Sequence, residues 1–410
     1  MSYTLGNSQG SRIEPASNEA SDVQPASVSS AGVEQTLAEL VRIDSRSSVS
    51  NRAVINFAAT RLEARGWRVR LLPYRDERGV EKINMVAVTP SDTSETDVIE
   101  LALVGHTDTV PFDPAWTEAL MLTPRDGKLY GRGACDTKGF IAAALTAIER
   151  IDATRLARPL AVVLTADEEV GCLGAKQLED ARAFRARYSI VGEPTSLQPV
   201  RAGKGYCLAE IAVRGREGHS AYPSLGASAI FRAARLIARI ETIADELKAA
   251  HTHEAFDPPH TTINVGLING GTAKNIIACE CRFTLEWRPV PGQPAEHLIQ
   301  LIKNEIERLR MSDEDFTAEI SVIRLDESIE TAADSLLVRA MEEATGLRAG
   351  AVSFGTEAPQ LAALGSEPVV FGPGDIRVAH RTGEFVPVEE LHRCVSVLAR
   401  MIELFCVDGN

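Results

Sequence analysis

The chain of 410 residues exceeds the size of one ordinary domain, so its length predicts two. Hydrophobic residues make up 44% of it and charged residues 24%, which is the composition of a globular protein. The formal net charge of -14 argues against a nucleic-acid partner, and the lack of any apolar run of spanning length argues against a membrane protein.

The N-terminal segment, residues 1–32, is predicted to be a disordered tail. It is rich in Ser, Ala, Glu, Gln and Pro, and it buries too little apolar surface to offset the entropy lost on ordering. It has no basic stretch followed by an apolar core, so no signal peptide is expected. The seven cysteines, an odd number in a long chain, indicate reduced thiols and a cytoplasmic protein.

Alternating helices and strands follow over residues 33–203, and this alternation predicts an α/β domain with a mixed sheet. Apolar spacing predicts helices over 33–43, 52–65 and 140–148, and strands over 67–72, 83–88, 101–104, 160–166 and 188–192. Residues 204–325 change character and predict a small two-layer β-α-β-β-α-β unit, similar to ferredoxin-like domains. Residues 326–410 return to the first pattern, so the small unit is an insertion.

The strand over 101–104 breaks at Gly105 and is followed by His106 and Asp108. Residues two apart in an extended segment point to the same side, so Asp108 is placed to accept the N–H of His106. Such a carboxylate fixes the imidazole tautomer for metal binding. Alone, the pair also fits a turn Asp beside a half-exposed His.

Three later stretches place similar groups at strand ends or glycine-rich turns. Asp136 follows two glycines before an apolar helix, Glu168 and Glu169 follow the strand over 160–166, and Glu193 follows the strand over 188–192. In open α/β sheets ligands bind beyond the carboxyl ends of the strands. Each group has a plainer alternative: a helix cap for Asp136, and a solvated acidic turn for the glutamates.

His380 lies in a late glycine-rich loop, where a surface position is the plain interpretation and a fifth metal ligand the alternative. Two histidines and several carboxylates suit two divalent cations, and mixed nitrogen and oxygen ligation favours zinc or cobalt over magnesium. Such a pair activates a shared water, and a free carboxylate beside it serves as general base. The residue set therefore predicts metal-assisted hydrolysis.

These motifs resemble those of the M20 family of metallopeptidases and aminoacylases, and the resemblance runs from Val33 to the C-terminus. It is carried by His380 and by the runs Gly105-His106-Thr107-Asp108, Gly131-Arg132-Gly133-Ala134-Cys135-Asp136-Thr137-Lys138-Gly139, Asp167-Glu168-Glu169 and Gly192-Glu193-Pro194-Thr195. It implies a mixed-sheet zinc-hydrolase catalytic domain, with the inserted α+β unit serving as lid and dimerisation domain of a homodimer.

The resemblance also implies roles for individual residues. His106 and His380 each ligate one metal, Asp136 bridges both, and Glu169 and Glu193 complete the two sites. Glu168 is then the general base and Asp108 orients His106. A cis peptide bond after Asp136 is implied as well.

In the inserted unit, the stretch with His219 resembles a segment that reaches the partner's active site and stabilises an oxyanion there. Asn275 and Arg288 resemble substrate-holding positions, and the planar fork of Arg288 suits a carboxylate. Ordinary loop or surface positions remain the alternative for all three.

Within the family, the stretches around Lys204 and Glu357 most resemble the branch that removes the acetyl group from N-acetylornithine in arginine biosynthesis. Arg288 then takes the substrate carboxylate and Glu357 its ammonium group, although Glu357 also fits the first turn of a helix. Phe354-Gly355 and Gly203 depart from the branch, which leaves N-acetylcitrulline, N-succinyl-diaminopimelate and other N-acyl amino acids open. A dipeptidase or aminopeptidase, and a non-catalytic binding protein, are the alternatives of other kinds.

Overall fold

The computed structural model describes residues 32–90 and 98–407, so the predicted tail lies outside the described residues except for Gly32. The α-helices of this part are α1 (Val33–Val41), α2 (Arg52–Glu63), α3 (Lys138–Arg150), α4 (Leu173–Asp180), α5 (Ala229–Ala250), α6 (His297–Ser312), α7 (Leu336–Thr345), α8 (Ala358–Ala363) and α9 (Val388–Cys406).

The strands outside the inserted unit are β1 (Arg68–Arg75), β2 (Glu81–Val88), β3 (Ile99–His106), β4 (Thr123–Arg125), β5 (Lys128–Tyr130), β6 (Leu160–Thr165), β7 (Ala186–Val191), β8 (Val200–Gly203), β15 (Ile329–Glu330), β16 (Gly350–Val352), β17 (Glu367–Val370) and β18 (Phe385–Pro387). Of these, β4, β5 and β18 form a separate three-stranded sheet. The inserted unit contains β9 (Tyr206–Arg214), β10 (Gly218–His219), β11 (Thr262–Gly270), β12 (Ile276–Ile277), β13 (Glu280–Arg288) and β14 (Thr317–Asp326).

The larger sheet has nine strands in the order β1-β2-β6-β3-β7-β17-β8-β15, with β16 beside β8. Strand β3 runs parallel to β6 and β7, whereas β1 and β2 are antiparallel to their neighbours. The mixed sheet predicted from the sequence is therefore confirmed. Because β3, β6 and β7 are parallel, their carboxyl ends lie at one edge of the sheet, where a site is expected.

Helices cover both faces of this sheet. Helix α3 is surrounded by apolar neighbours, and all its residues from Lys138 to Ile148 are buried. It belongs to the core formed with α1, α2, α7 and α9, while α4 and α8 pack on the opposite face. The start of α3 is thereby held firmly, which positions the loop before it.

The smaller sheet has the strand order β11-β13-β9-β14, and every pair in it is antiparallel. With α5 and α6 inserted between its strands, this is the predicted ferredoxin-like arrangement. Alternate residues of β13 are buried, and they form a separate core with α5 and α6. This unit therefore has a hydrophobic centre of its own.

All predicted elements are present, with bounds displaced by at most three residues. Helix α5 begins at Ala229, because the Ser228 hydroxyl accepts the Phe231 N–H and caps the helix there. Helix α4 was not predicted, since it has two turns and buries only Gly174, Ala175 and Leu178. Among the described residues, no helix combines the length and apolarity that crossing a bilayer requires.

Candidate metal centre and active site

Five of the residues singled out in the sequence converge at the carboxyl edge of the larger sheet. His106 is the last residue of β3, Glu169 lies in the turn after β6, and Glu193 follows β7. Asp136 lies two residues before α3, and its peptide bond to Thr137 is cis, as the family resemblance implied. His380 comes from the loop between β17 and β18.

These residues form two groups that share Asp136. One group is His106, Asp136 and Glu193, and the other is Asp136, Glu169 and His380; in each, the potential ligand atoms lie within 4.8 Å of one another. The Asp136 carboxylate faces both histidines, with Oδ1 2.9 Å from His106 Nε2 and Oδ2 3.2 Å from His380 Nε2. This geometry suits a carboxylate that bridges two cations.

The donor set fits divalent cations. Burial, with repulsion from Asp136, raises the pKa of Glu193 well above its ordinary value and also raises the pKa of Glu169. One oxygen of Glu169, Oε1, is buried and has no hydrogen-bond partner among the described residues. Divalent cations neutralise buried carboxylates that repel one another and lack hydrogen-bond donors.

Glu168 lies beside these groups and belongs to neither. Burial raises the pKa of Glu168 to about 8, with His106 opposing the shift and Glu169 adding to it. Its Oε1 accepts a hydrogen bond from the Cys172 thiol at 3.4 Å. A carboxylate that is close to the metal ligands and whose pKa lies near neutrality suits a group that takes up and releases a proton.

Asp108 supports both His106 and the acidic turn. The His106 Nδ1 faces the backbone carbonyl of Asp108 at 3.0 Å and its carboxylate at 3.6 Å. The same carboxylate accepts the backbone N–H groups of Glu168 and Glu169, at 3.1 and 3.3 Å, and the hydroxyl of Ser47 at 2.7 Å. Asp108 thus orients an imidazole and holds the turn that carries two site glutamates.

Taken as a continuation of the predicted strand over 160–166, Glu168 and Glu169 are expected to point to opposite sides, but the strand does not reach them. Strand β6 ends at Thr165, and a turn follows in which Asp167 has a φ of 58°. This turn, and not strand alternation, therefore places the two glutamates.

Two supporting residues were not found from the sequence. Glu384 is fully buried, and its Oε1 accepts the backbone N–H groups of Cys135 and Asp136, at 2.9 and 3.0 Å. Its Oε2 pairs with Arg132 at 2.5 Å. Glu384 therefore anchors the loop that carries Asp136. Arg132 and Glu384 are 252 residues apart, so local patterns do not pair them.

Asp167 and Lys82 form a second buried support. The Lys82 ammonium lies 2.7 Å from the Asp167 carboxylate and also donates to the carbonyls of Ser47 and Val49, at 2.8 and 2.9 Å. Tyr74 donates to the other Asp167 oxygen at 2.9 Å. Both charged side chains are about 1% exposed, so the first acid of the Asp-Glu-Glu run is structural.

Replacing Lys82 by Met should lower the free energy of unfolding by about 3–5 kcal/mol, because the Asp167 carboxylate loses its cation while it stays buried. Denaturant unfolding measures this effect. Lys303→Met, on an exposed position of α6, is the matched control and should change stability little. The pair Lys82→Met with Asp167→Asn should recover part of the loss, and a loss below about 1 kcal/mol for Lys82→Met alone would contradict this account.

Arg288 and Glu357 lie on two segments that meet. Arg288 ends β13, and its Nη1 donates to the carbonyl of Ser353 at 2.8 Å, in the segment that leads to Glu357. Its guanidinium is 4.4 Å from the centre of the Tyr206 ring. The structure thus brings this arginine of the inserted unit to the segment that leads to Glu357.

Glu357 immediately precedes α8, so the predicted helix start is present. Its side chain is about 1% exposed, and Oε1 has no hydrogen-bond partner in the part of the chain described. Burial raises the pKa of Glu357 to about 7, and the nearby charge of His106 opposes this shift. A buried carboxylate with an unpaired oxygen near the metal ligands is suited to bind a cationic group.

His219 and Asn275 are neighbours on the inserted unit. Strands β10 and β12 pair His219 with Ile276, and the Ser220 N–H donates to the Asn275 carbonyl at 3.1 Å. Both residues are exposed. Neither makes a side-chain hydrogen bond to the metal-ligand groups within the described ranges, so the two sets of residues are not brought together in one chain.

Comparison with known proteins agrees with this geometry. Residues 102–404 match the model of peptidase family M20/M25/M40, and the chain belongs to that family. It is 56% identical over 371 residues to acetylornithine deacetylase of Myxococcus xanthus, covering 90% of this chain and 97% of that one. It is 37% identical over 369 residues to acetylornithine deacetylase of Proteus mirabilis, covering 89% and 92%.

A tripeptidase from Staphylococcus aureus shares the fold, with a TM-score of 0.70 at 24% identity and coverage of 91% of this chain and 97% of that chain. Family membership and the site together define a hydrolase of amide bonds that uses a divalent metal.

Proposed function

We propose that the protein hydrolyses the amide bond of N-acetylornithine to acetate and ornithine, with two zinc ions, or cobalt, held by His106, Asp136, Glu169, Glu193 and His380. The observation that supports this substrate most is the 56% identity to the Myxococcus xanthus deacetylase across nearly the whole chain. The two ligand groups that share Asp136 support the chemistry.

When bound, the cations polarise the substrate carbonyl and make water a better nucleophile near neutral pH. Glu168 takes a proton from the attacking water at its carboxylate and passes it to the nitrogen of the leaving amine. Asp108 keeps His106 in one orientation and holds the turn of Glu168 throughout. Glu384 holds the backbone of Asp136 in the same way.

Two residues are proposed to select the amino acid. Arg288 binds the substrate carboxylate through its planar donors. Glu357 binds the side-chain ammonium through the oxygen that has no partner among the described residues. A substrate without a side-chain cation, such as N-acetylcitrulline, leaves the Glu357 carboxylate unpaired and should be a poorer substrate.

We also propose that residues 204–325 act as a lid and as the dimer interface, with residues 33–203 and 326–410 as the catalytic domain. His219 and Asn275 then reach the partner's site, where His219 stabilises the oxyanion and Asn275 holds substrate. In support, His219 Nδ1 accepts the Ala221 N–H at 3.1 Å, which orients its ring. The free cysteines support a cytoplasmic location.

Assay of amine release from N-acetylornithine by the purified protein, supplied with zinc or cobalt, tests the function. The panel includes N-acetylcitrulline, N-succinyl-diaminopimelate and unblocked dipeptides. Highest kcat/KM for N-acetylornithine is the expected result. Preference for another N-acyl amino acid would overturn the substrate, and preference for dipeptides would place the chain among the peptidases of its family.

The dimer should form through β11, one of the two edge strands of the smaller sheet. Leu267 and Ile268 on it are 71% and 57% exposed, and an apolar edge of this kind favours pairing with a second copy. Light scattering should give twice the mass of one 44.2 kDa chain. Ile268→Glu should yield monomers with little activity, and Met311→Glu, on a still more exposed position of α6, should not. A monomeric, fully active wild type would contradict both the dimer and the role of His219.

A further inference from the structure

The Glu168 carboxylate is held by a side chain that the proposed function does not use. Cys172 lies in the same acidic turn, where its backbone N–H donates to the Glu168 carbonyl at 2.9 Å. Its thiol is fully buried and donates to Glu168 Oε1 at 3.4 Å. Burial raises the pKa of the Cys172 thiol well above its ordinary value, so the thiol keeps its proton and acts as a donor.

Cys172 is in turn held by Arg324 of strand β14, which belongs to the inserted unit. Arg324 Nη2 donates to the Cys172 sulfur at 3.3 Å. The guanidinium lies 4.5 Å from the centre of the Tyr206 ring, and its Nε pairs with Asp326. Asp326 also pairs with Lys176 of α4 at 2.7 Å. The arginine is therefore fixed on several sides, and it connects the inserted unit to the turn of Glu168.

We propose that Cys172 and Arg324 are positioning residues for Glu168. Arg324 holds the sulfur, and the thiol engages Oε1, which leaves Oε2 for proton transfer. The orientation of the Glu168 carboxylate then depends on how the inserted unit packs against the rest of the chain. Because both residues act through Glu168, this inference rests on the proposed function.

Steady-state kinetics of four single variants, on the best substrate of the wild type, test the inference. Cys172→Ala removes the donor, and kcat should fall about tenfold with KM unchanged, which is the effect of one lost hydrogen bond on a barrier. Cys172→Ser keeps a donor and should recover most of the rate. Arg324→Met should lower kcat similarly, and Arg324→Lys less.

The double variant Cys172→Ala with Arg324→Met shows whether Arg324 acts on Glu168 through Cys172, which we call the relay, or whether the two residues act independently. If the two residues act in series, the double variant should lose about as much kcat as either single variant. A loss equal to the product of the two single losses would overturn the relay. A raised KM with unchanged kcat for Arg324→Met would also overturn it, since Arg324 would then contact substrate.

Cys207→Ala is the matched control. Cys207 is equally buried and donates to the Asp326 carbonyl at 3.5 Å, so it lies near the same arginine without touching Glu168. It should change kcat little. If Cys172→Ala has the wild-type kcat and Glu168→Gln is inactive, the role of Cys172 is refuted and the proposed function stands. If Glu168→Gln is active, the proposed general base is itself refuted. A crystal structure of metal-loaded Cys172→Ala should show a rotated Glu168 carboxylate, and an unmoved one would refute the relay without reference to activity.

Discussion

Replacing Glu168 by Gln should lower kcat for N-acetylornithine by about 10³-fold, while the bound metal is retained. An amide neither takes a proton from water nor passes one to the leaving nitrogen, and general acid–base catalysis by one side chain contributes about 10²- to 10⁴-fold. The fold should not change, because Gln has nearly the same shape as Glu and the Glu168 backbone still donates to Asp108. Rate assays and metal analysis by mass spectrometry measure both quantities.

Glu63→Gln provides the matched control, since Glu63 is an exposed residue at the end of α2. It should have wild-type activity. If Glu168→Gln retained more than about a tenth of the wild-type rate, another group would be the base. Loss of metal together with activity would instead place Glu168 among the ligands.

Replacing Asp136 by Asn should abolish activity by removing metal. Asp136 is shared by both ligand groups, so its loss weakens the binding of both cations at once. Loss of a residue that hydrogen-bonds a metal ligand already weakens metal affinity by about 10- to 100-fold. We therefore expect loss of a bridging ligand to weaken it by at least about 100-fold. Metal content after dialysis and titration with zinc measure the change.

A thermal comparison excludes simple misfolding of this variant. Without metal, Asp136→Asn should be close to the wild type in stability, because the repulsion that Asp136 exerts on Glu169 and Glu193 is removed together with its contacts to His106 and His380. With metal at 100 times its Kd, the wild type should gain about 2.7 kcal/mol, and the variant much less. Retention of two tightly bound cations per chain would show that Asp136 is not the bridge.

Much of the fold was predictable because its strands are short apolar runs that end in glycine or acidic residues. The strand over 160–166 and the apolar helix after Asp136 follow from such runs, and both are present. Helix α4 was not predictable, since its few buried residues give little periodicity and its position depends on α8 and β2.

Supporting residues of the site were harder to find than the ligands. Lys82, Arg324 and Glu384 are ordinary charged residues in the sequence, and each is significant only through a partner far along the chain. Cys172 differs, because it lies four residues after Glu168, and a turn there would have suggested the contact. The assumption of extended backbone concealed it.

By itself, the sequence determined which residue types stand at the ends of the apolar strands, and hence the chemistry of the site. A strand end and the acid or histidine that follows it are adjacent in the chain, so local pattern identifies them. The tertiary structure alone decided that Asp136 faces two histidines, that Asp167 pairs with Lys82, and that an arginine of the inserted unit reaches the turn of Glu168. Those contacts arise when parallel strands and two separate cores pack together, and packing between distant segments leaves no local pattern.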